Sequence, residues 1–122
     1  MRAKLKGLHS PDISDLENWQ PDEPSFGFLL QAMIGPADRE GAEAFDMVVC
    51  TLEWFGEQLR GQSVMSGMHT LFMPSYDYRA LRNFIEHAVQ RSEAEDWDKL
   101  AARLSWLGQW EFADYRAEPP YA

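Results

Sequence analysis

The chain has 122 residues, of which 45% are hydrophobic and 13% aromatic, and its formal net charge at pH 7 is −9. This length and composition fit a single domain with a buried core and exclude a disordered chain. The acidic excess disfavours nucleic acid as a partner, and one cysteine cannot form an internal disulfide or a cysteine-rich zinc site.

Hydrophobic periodicity and turn residues predict seven regular elements. Alternation of apolar and basic residues marks the first strand, with Ala3, Leu5 and Gly7 on its apolar side. A long apolar run closed by Gly35-Pro36 favours a buried second strand, and periodicity alone leaves a helix open there. In chain order the predicted elements are strands at residues 2–8, 26–34 and 45–50, a helix at 51–60, a strand at 64–72, and helices at 77–91 and 92–108.

Individual residues define the ends of the predicted helices. Thr51 is the predicted N-cap of the first helix, and Gly61 ends it. Its residues Leu52, Phe55 and Leu59 are expected to share one apolar face, and the second helix carries a longer stripe that includes Phe84. Ser92 and Glu95 have the spacing of a capping box, which predicts the start of the third helix, and Gly108 ends that helix.

The order of elements predicts an α+β fold. Residues 9–24 form a proline-rich loop and residues 36–44 a hairpin loop, and a break or bulge is expected near Gly67. The order β-β-β-α-β-α-α, with one-sided strands and short connections, predicts a mainly antiparallel sheet of about four strands with three helices packed on one face. We expect one domain covering residues 1–122, with the aromatic tail at residues 110–115 docked on it.

Charge is distributed unevenly along the chain. Residues 12–57 hold eleven carboxylates and one basic side chain, Arg39, whereas residues 1–11 hold three basic side chains and no acidic one. Such a field attracts basic surfaces, which predicts a protein partner that meets the two loops; acidity that serves only solubility is the alternative. The residues predicted to bind this partner are Asp12, Asp15, Glu17, Asp22, Glu23, Asp38, Glu40 and Glu43. Trp19 is the predicted apolar anchor, unless it packs the first loop onto the sheet.

The sequence contains no recognisable catalytic or metal-binding motif. The glycines are scattered, the three histidines are isolated, and so acidic a chain produces carboxylate pairs by chance. We therefore expect no catalytic residue, no metal and no cofactor, and a protein that is not an enzyme. One alternative is a small hydrolase with Cys50 as nucleophile and His69 as base, although the apolar neighbours of Cys50 favour a buried structural side chain. Another alternative is a sensor that binds a small ligand under the aromatic tail.

The N-terminus predicts a cytoplasmic location. It is basic, but no apolar run follows it, and no segment approaches the roughly 20 apolar residues of a membrane span. We therefore expect neither a membrane nor nucleic acid among the partners.

Several segments, taken in order, resemble the immunity protein 8 family. They are Leu8-His9-Ser10-Pro11-Asp12, Asp15-Leu16-Glu17-Asn18-Trp19, Phe26-Gly27-Phe28-Leu29-Leu30-Gln31, Ile34-Gly35-Pro36, Phe45-Asp46-Met47-Val48-Val49-Cys50-Thr51, Tyr76-Asp77-Tyr78 and Gly108-Gln109-Trp110-Glu111-Phe112. The likeness spans nearly the whole chain and depends on the ordered set. It implies an α+β immunity protein of a bacterial polymorphic toxin system, which binds and blocks a cognate toxin domain. The negative charge adds the expectation that this toxin domain is basic, with a nuclease as one candidate.

Overall fold

The computed structural model describes residues 1–113 of the chain. Within this range the chain forms a mixed sheet of five strands and three helices, which confirms the predicted α+β class. In chain order the elements are β1 (Ala3–His9), β2 (Gly27–Pro36), β3 (Glu43–Cys50), α1 (Leu52–Leu59), β4 (Thr70–Phe72), α2 (Tyr78–Gln90), α3 (Trp97–Leu104) and β5 (Gln109–Trp110).

The sheet is mainly antiparallel, as predicted, and has the order β1-β2-β3-β4. β1, β2 and β3 pair antiparallel, whereas β4 pairs parallel with the end of β3. The hairpin loop at residues 37–42 returns the chain directly from β2 to β3. A parallel neighbour needs a longer connection, which α1 and the loop after it supply. The two-residue strand β5, which the sequence pattern does not predict, pairs antiparallel with the start of β3.

A bulge at Lys6 changes which residues of β1 face the core. The register with β2 shifts between Leu5 and Gly7, so that Lys6 has no partner in the ladder. Leu5 is buried before the shift, and after it Leu8 lies opposite the buried Ala32. The predicted place of Gly7 on the same side as Leu5 is therefore wrong, because one extra residue reverses the alternation.

The core lies between one face of the sheet and the helices α2 and α3. Alternate residues of β2 and β3 point to this face, where the apolar stripes of the two helices cover them. Burial of each such aliphatic side chain stabilises the folded state by about 1.5–3 kcal/mol. The largest fully buried side chains are Leu30, Ile34, Phe45, Met47, Val49, Cys50, Ile85, Val89, Leu100, Leu104 and Leu107.

α1 packs on the opposite face of the sheet. None of its residues is buried, and its Trp54 ring lies over Gly27, where a Cβ would overlap the ring. Gly27 points away from the core, because the next residue, Phe28, is buried on the core side. Phe55 of α1 contacts Phe72 of β4, with ring centroids 5.4 Å apart. α2 and α3 thus share a face as predicted. The prediction that all three helices pack on one face is wrong for α1, which covers one end of the other face.

The third helix begins later than its sequence pattern predicts. Its N-cap is Asp96, whose carboxylate accepts the backbone N–H of Lys99 at 2.9 Å. The Ser92 hydroxyl instead donates to the carbonyl of Ala88, in the last turns of α2. The predicted capping box of Ser92 and Glu95 is therefore wrong, because the preceding helix already uses the serine hydroxyl.

The predicted strand at residues 64–72 is mostly a loop. Only Thr70–Phe72 pairs with β3, and no bulge occurs at Gly67, which lies in the exposed run of residues 61–68. Apolar side chains such as Val64 and Met68 imitate a strand pattern in the sequence, but they remain exposed.

The aromatic tail docks as far as the structure describes it. Trp110 is buried, and Ala113 packs against the core. Residues 114–115 of the predicted tail lie outside the described residues. No helix within residues 1–113 is long and apolar enough to cross a membrane.

Candidate partner-binding surface

The two acidic loops lie at opposite ends of the sheet. β2 has ten residues and spans about 30 Å. Its first residue, Gly27, follows the proline-rich loop, and its last, Pro36, leads into the hairpin loop. The structure therefore does not bring the two predicted sets of carboxylates together. Asp12, Asp15, Glu17, Asp22 and Glu23 lie at one end, and Asp38, Glu40 and Glu43 lie at the other.

α1 adds carboxylates to the end that holds the proline-rich loop. The Thr51 hydroxyl accepts the N–H of Phe26 at 3.3 Å, and the N–H of Thr51 donates to the Phe26 carbonyl at 3.0 Å. The start of α1 is thereby joined to the end of this loop, and Glu53 and Glu57 of α1 are exposed. We define the acidic end as seven exposed carboxylates: Asp12, Asp15, Glu17, Asp22, Glu23, Glu53 and Glu57.

The proline-rich loop is fixed to the rest of the fold. Ile13 and Leu16 are buried, and the Asp12 carboxylate accepts the backbone N–H of Leu29 at 2.9 Å, just beyond the last residue pair of β1 and β2. Asp15 accepts an N–H from the side chain of Asn18 at 2.9 Å. The carboxylates of this loop are therefore held on an ordered backbone, which reduces the entropy lost on binding.

Trp19 packs this loop onto the sheet. Its ring lies edge-on to Phe26, Phe28 and Tyr76, with centroid distances of 5.7, 5.3 and 4.8 Å. The Tyr76 hydroxyl donates to the carbonyl of Leu16 at 2.5 Å, which ties the same loop to the segment before α2. Trp19 is half-buried in this cluster, so the structure places it in loop packing, the second of the two interpretations of this residue.

Glu43 lies among tryptophans at the start of β3. One carboxylate oxygen, Oε1, accepts the indole N–H of Trp97 at 2.5 Å and that of Trp110 at 2.9 Å. Glu43 is half-buried. Its two hydrogen bonds explain the presence of a carboxylate here, and no contact with another protein is needed to explain it.

The hairpin loop carries charges of both signs. Asp38 and Glu40 are exposed, but the Arg39 guanidinium lies 3.5 Å from the Asp38 carboxylate. The Lys6 ammonium donates to the carbonyls of Arg39 and Gly41, at 2.5 and 2.8 Å. These cations weaken the negative field at the hairpin loop. The negative charge is therefore stronger at the other end of β2, where the acidic end lies.

The structure does not support a catalytic role for Cys50. The side chain is fully buried, and this burial raises the pKa of the thiol, which disfavours the thiolate. The proposed base, His69, has its Nε2 atom 2.6 Å from the carbonyl oxygen of Ser105. Within residues 1–113, no group of three or more His, Cys, Asp or Glu side chains is arranged to hold a metal ion.

Several large apolar side chains are exposed, in segments that include α1, β4 and α2. In the described range they are Leu52, Leu59, Val64, Met65, Met68, Phe72, Phe84, Trp106 and Phe112. Leu52 is 71% exposed next to Glu53, so an apolar side chain borders the acidic end. Helical periodicity assigns Leu52 and Phe84 to the core. They are exposed because, among residues 1–113, no second layer covers these parts of α1 and α2.

Comparison with known families identifies the chain. The model of the family named Immunity protein 8 matches residues 3–115, which include all the helices and strands described above. No curated protein and no solved structure matches the chain. The family match covers most of the sequence and confirms the resemblance seen in the ordered segments. The chain belongs to the immunity protein 8 family.

Proposed function

We propose that the protein is an immunity protein of a polymorphic toxin system, which acts in the cytoplasm, binds a cognate toxin domain and catalyses no reaction itself. Family membership supports the class of function. The observation that carries the proposed binding mode is the acidic end, where seven exposed carboxylates stand on an ordered loop and a helix. A basic toxin domain fits this field, and a nuclease has such a surface because it binds phosphates.

The acidic end favours rapid and selective association. Complementary charge steers two proteins together and suppresses encounters with wrong partners. A stable complex of this kind buries roughly 1,600 Å² in total, and a few anchors supply most of its energy. Because Trp19 is occupied in loop packing, we propose Leu52 as the apolar anchor at the border of the acidic end.

Co-expression with a toxin tests this function. The probe is the C-terminal domain of a large secreted protein, where one is encoded next to the gene for this chain. Bacteria that produce this domain should survive only when they also produce the immunity protein. Lack of rescue by a soluble, folded chain would show that this domain is not its cognate partner.

Charge-neutralising variants test the acidic end itself. The test variant combines Asp22→Asn, Glu23→Gln, Glu53→Gln and Glu57→Gln. The matched control makes the same change in net charge elsewhere, with Asp38→Asn, Glu40→Gln, Glu95→Gln and Asp98→Asn. We expect the test variant to lose protection and the control to keep it, with folding of both checked by circular dichroism. Equal protection by the two folded variants would contradict the acidic end as the contact.

A further inference from the structure

A hollow lined by basic side chains lies where β1, the hairpin loop and α2 meet, and we call it the basic hollow. It has a volume of about 500 Å³, which is in the range of small-molecule sites. Its cations come from all three elements, and they are four of the chain's eleven basic residues. The described residues that line the basic hollow are Lys4, Leu5, Lys6, Ala37, Arg39, Glu40, Gly41 and Arg82.

The two lysines of the basic hollow have no carboxylate partner. The Lys6 ammonium donates to two backbone carbonyls of the hairpin loop, at 2.5 and 2.8 Å. These carbonyls are neutral, so they fix the position of the ammonium and leave its charge uncompensated. Lys4 is exposed, and it forms no ion pair within residues 1–113.

The two arginines are held by neighbouring side chains. The Arg82 guanidinium donates to the Glu86 carboxylate at 2.7 Å and to the Tyr78 hydroxyl at 3.1 Å. The Arg39 guanidinium lies 3.5 Å from the Asp38 carboxylate, and both side chains are more than half exposed. Water screens such an exposed pair, so it compensates the charge of Arg39 only weakly.

The charge of the basic hollow is opposite to that of the whole chain. Glu40 is the one carboxylate among its described lining residues. With Asp38 and Glu86 also counted, basic side chains outnumber acidic ones by four to three. The chain as a whole has twenty acidic and eleven basic residues.

Grouping these cations does not serve stability. Like charges that lie around one hollow repel each other, which destabilises the fold. A concave surface lined by one sign of charge also raises the local concentration of ligands of the opposite sign. The bulge at Lys6 contributes to this arrangement, because a bulge redirects a side chain, and here the ammonium reaches the hairpin loop.

The lining chemistry matches phosphate oxygens. A guanidinium can donate two parallel N–H groups to a phosphate, and an ammonium binds it as a point charge. No aromatic side chain is among the described lining residues, so none of them can stack on a nucleobase. We propose that the basic hollow binds the diphosphate group of a small molecule, which is either inorganic pyrophosphate or a nucleoside diphosphate.

Isothermal titration calorimetry with pyrophosphate, at constant ionic strength, tests this site. We expect saturable one-to-one binding with a dissociation constant below about 1 mM. The test variant combines Lys4→Gln and Arg39→Gln, both at exposed positions, and should bind at least about tenfold more weakly. The matched control combines Lys99→Gln and Arg60→Gln, which exchange the same residue types outside the hollow, and should bind like the wild type.

Glu40→Gln provides a test in the opposite direction. The Glu40 carboxylate repels a bound diphosphate, so its neutralisation should tighten binding of pyrophosphate several-fold. A general loss of folding cannot produce tighter binding, and circular dichroism checks the fold of all the variants. Adenosine diphosphate separates the two sources of the ligand. Equal affinity for both compounds would show that the diphosphate group alone is recognised, whereas much tighter binding of adenosine diphosphate would identify a nucleotide as the ligand.

Three outcomes would overturn the diphosphate site. They are no saturable binding of pyrophosphate by the wild type, equal weakening by the test and control variants, and amide chemical shifts in the hairpin loop that do not change on titration. The basic hollow lies at the other end of β2 from the acidic end, about 30 Å away. Loss of diphosphate binding should therefore leave toxin protection intact, and loss of protection should leave diphosphate binding intact.

Discussion

Single acidic residues have different roles, which their sequence neighbours do not reveal. Glu43 and Glu23 both lie in the same acidic segment, yet Glu23 is exposed and Glu43 binds two indoles. The two tryptophans are 54 and 67 residues away from Glu43 in the sequence. Charge patterning therefore locates the acidic segment, but only the tertiary fold separates carboxylates that hold the core from those that remain free for a partner.

Replacement of Glu43 should affect stability more than binding. Glu43→Ala removes the acceptor shared by Trp97 and Trp110, and we expect it to lower the free energy of unfolding by about 2–3 kcal/mol. Glu43→Gln keeps a carbonyl acceptor and should cost less. Urea unfolding followed by tryptophan fluorescence measures both. If Glu43→Ala had normal stability but bound the toxin more weakly, Glu43 would be assigned to the toxin interface.

Tyr76 should make the fold sensitive to alkaline pH. Burial raises the pKa of Tyr76 to about 12, with nearby Tyr78 and Asp15 adding to the effect. The unfolded chain loses this phenol proton near pH 10, so the unfolded state binds fewer protons than the folded state above that pH. The contribution of Tyr76 to stability is therefore complete below about pH 10 and is lost as the pH rises toward 12.

Tyr76→Phe provides the test of this pH dependence. The variant lacks the hydrogen bond to Leu16, so it should be less stable by about 1 kcal/mol at neutral pH. Its stability should also fall less steeply than that of the wild type above pH 10, in urea unfolding at a series of pH values. Parallel stability curves for the two proteins would contradict the assignment.

At the scale of elements, local patterns predict most helices and strands, and long-range pairing decides the remainder. Thr51 and Asp77 cap α1 and α2 through their own side chains, and turn and capping chemistry is visible in the sequence. The bulge at Lys6 and the strand β5 depend on the partner strand, which no local pattern specifies. The face covered by α1 depends on one glycine in β2.

A pair of glycine substitutions tests how α1 is positioned. Gly27→Ala places a methyl group where the Trp54 ring lies, and we expect a loss of about 1–3 kcal/mol in stability. Gly56→Ala is the matched control, because its added Cβ meets nothing within 4 Å and it lies in the exposed part of α1. It should raise stability by about 0.5–1 kcal/mol. Thermal unfolding measures both, and equal effects would show that Trp54 does not determine the position of the helix.

At the scale of the whole molecule, the acidic segment predicted from the sequence is divided by the fold. A single run of charges in the sequence becomes two patches about 30 Å apart, because β2 extends between them. One patch gains Glu53 and Glu57 from α1, and the other is partly neutralised by Lys6 and Arg39. Family membership indicates a protein partner, and the proposed position of the contact surface depends on the topology.

The charge of the acidic end predicts how salt affects binding. The association rate constant with a basic toxin domain should fall about tenfold between low and moderate ionic strength, whereas the dissociation rate constant should change less. Stopped-flow mixing at several salt concentrations measures both rates. An association rate that does not respond to salt would exclude electrostatic steering by this surface.

The way in which the proline-rich loop is anchored has an evolutionary consequence. Ile13, Leu16 and Trp19 hold it from inside, while Glu17, Asp22 and Glu23 project outward and take no part in the core. Substitutions at the outward positions change the proposed recognition surface at little cost in folding. A lineage of such proteins can thus adapt to sequence changes in a binding partner. The outer residues of one loop change, while the buried residues that anchor the loop stay constant.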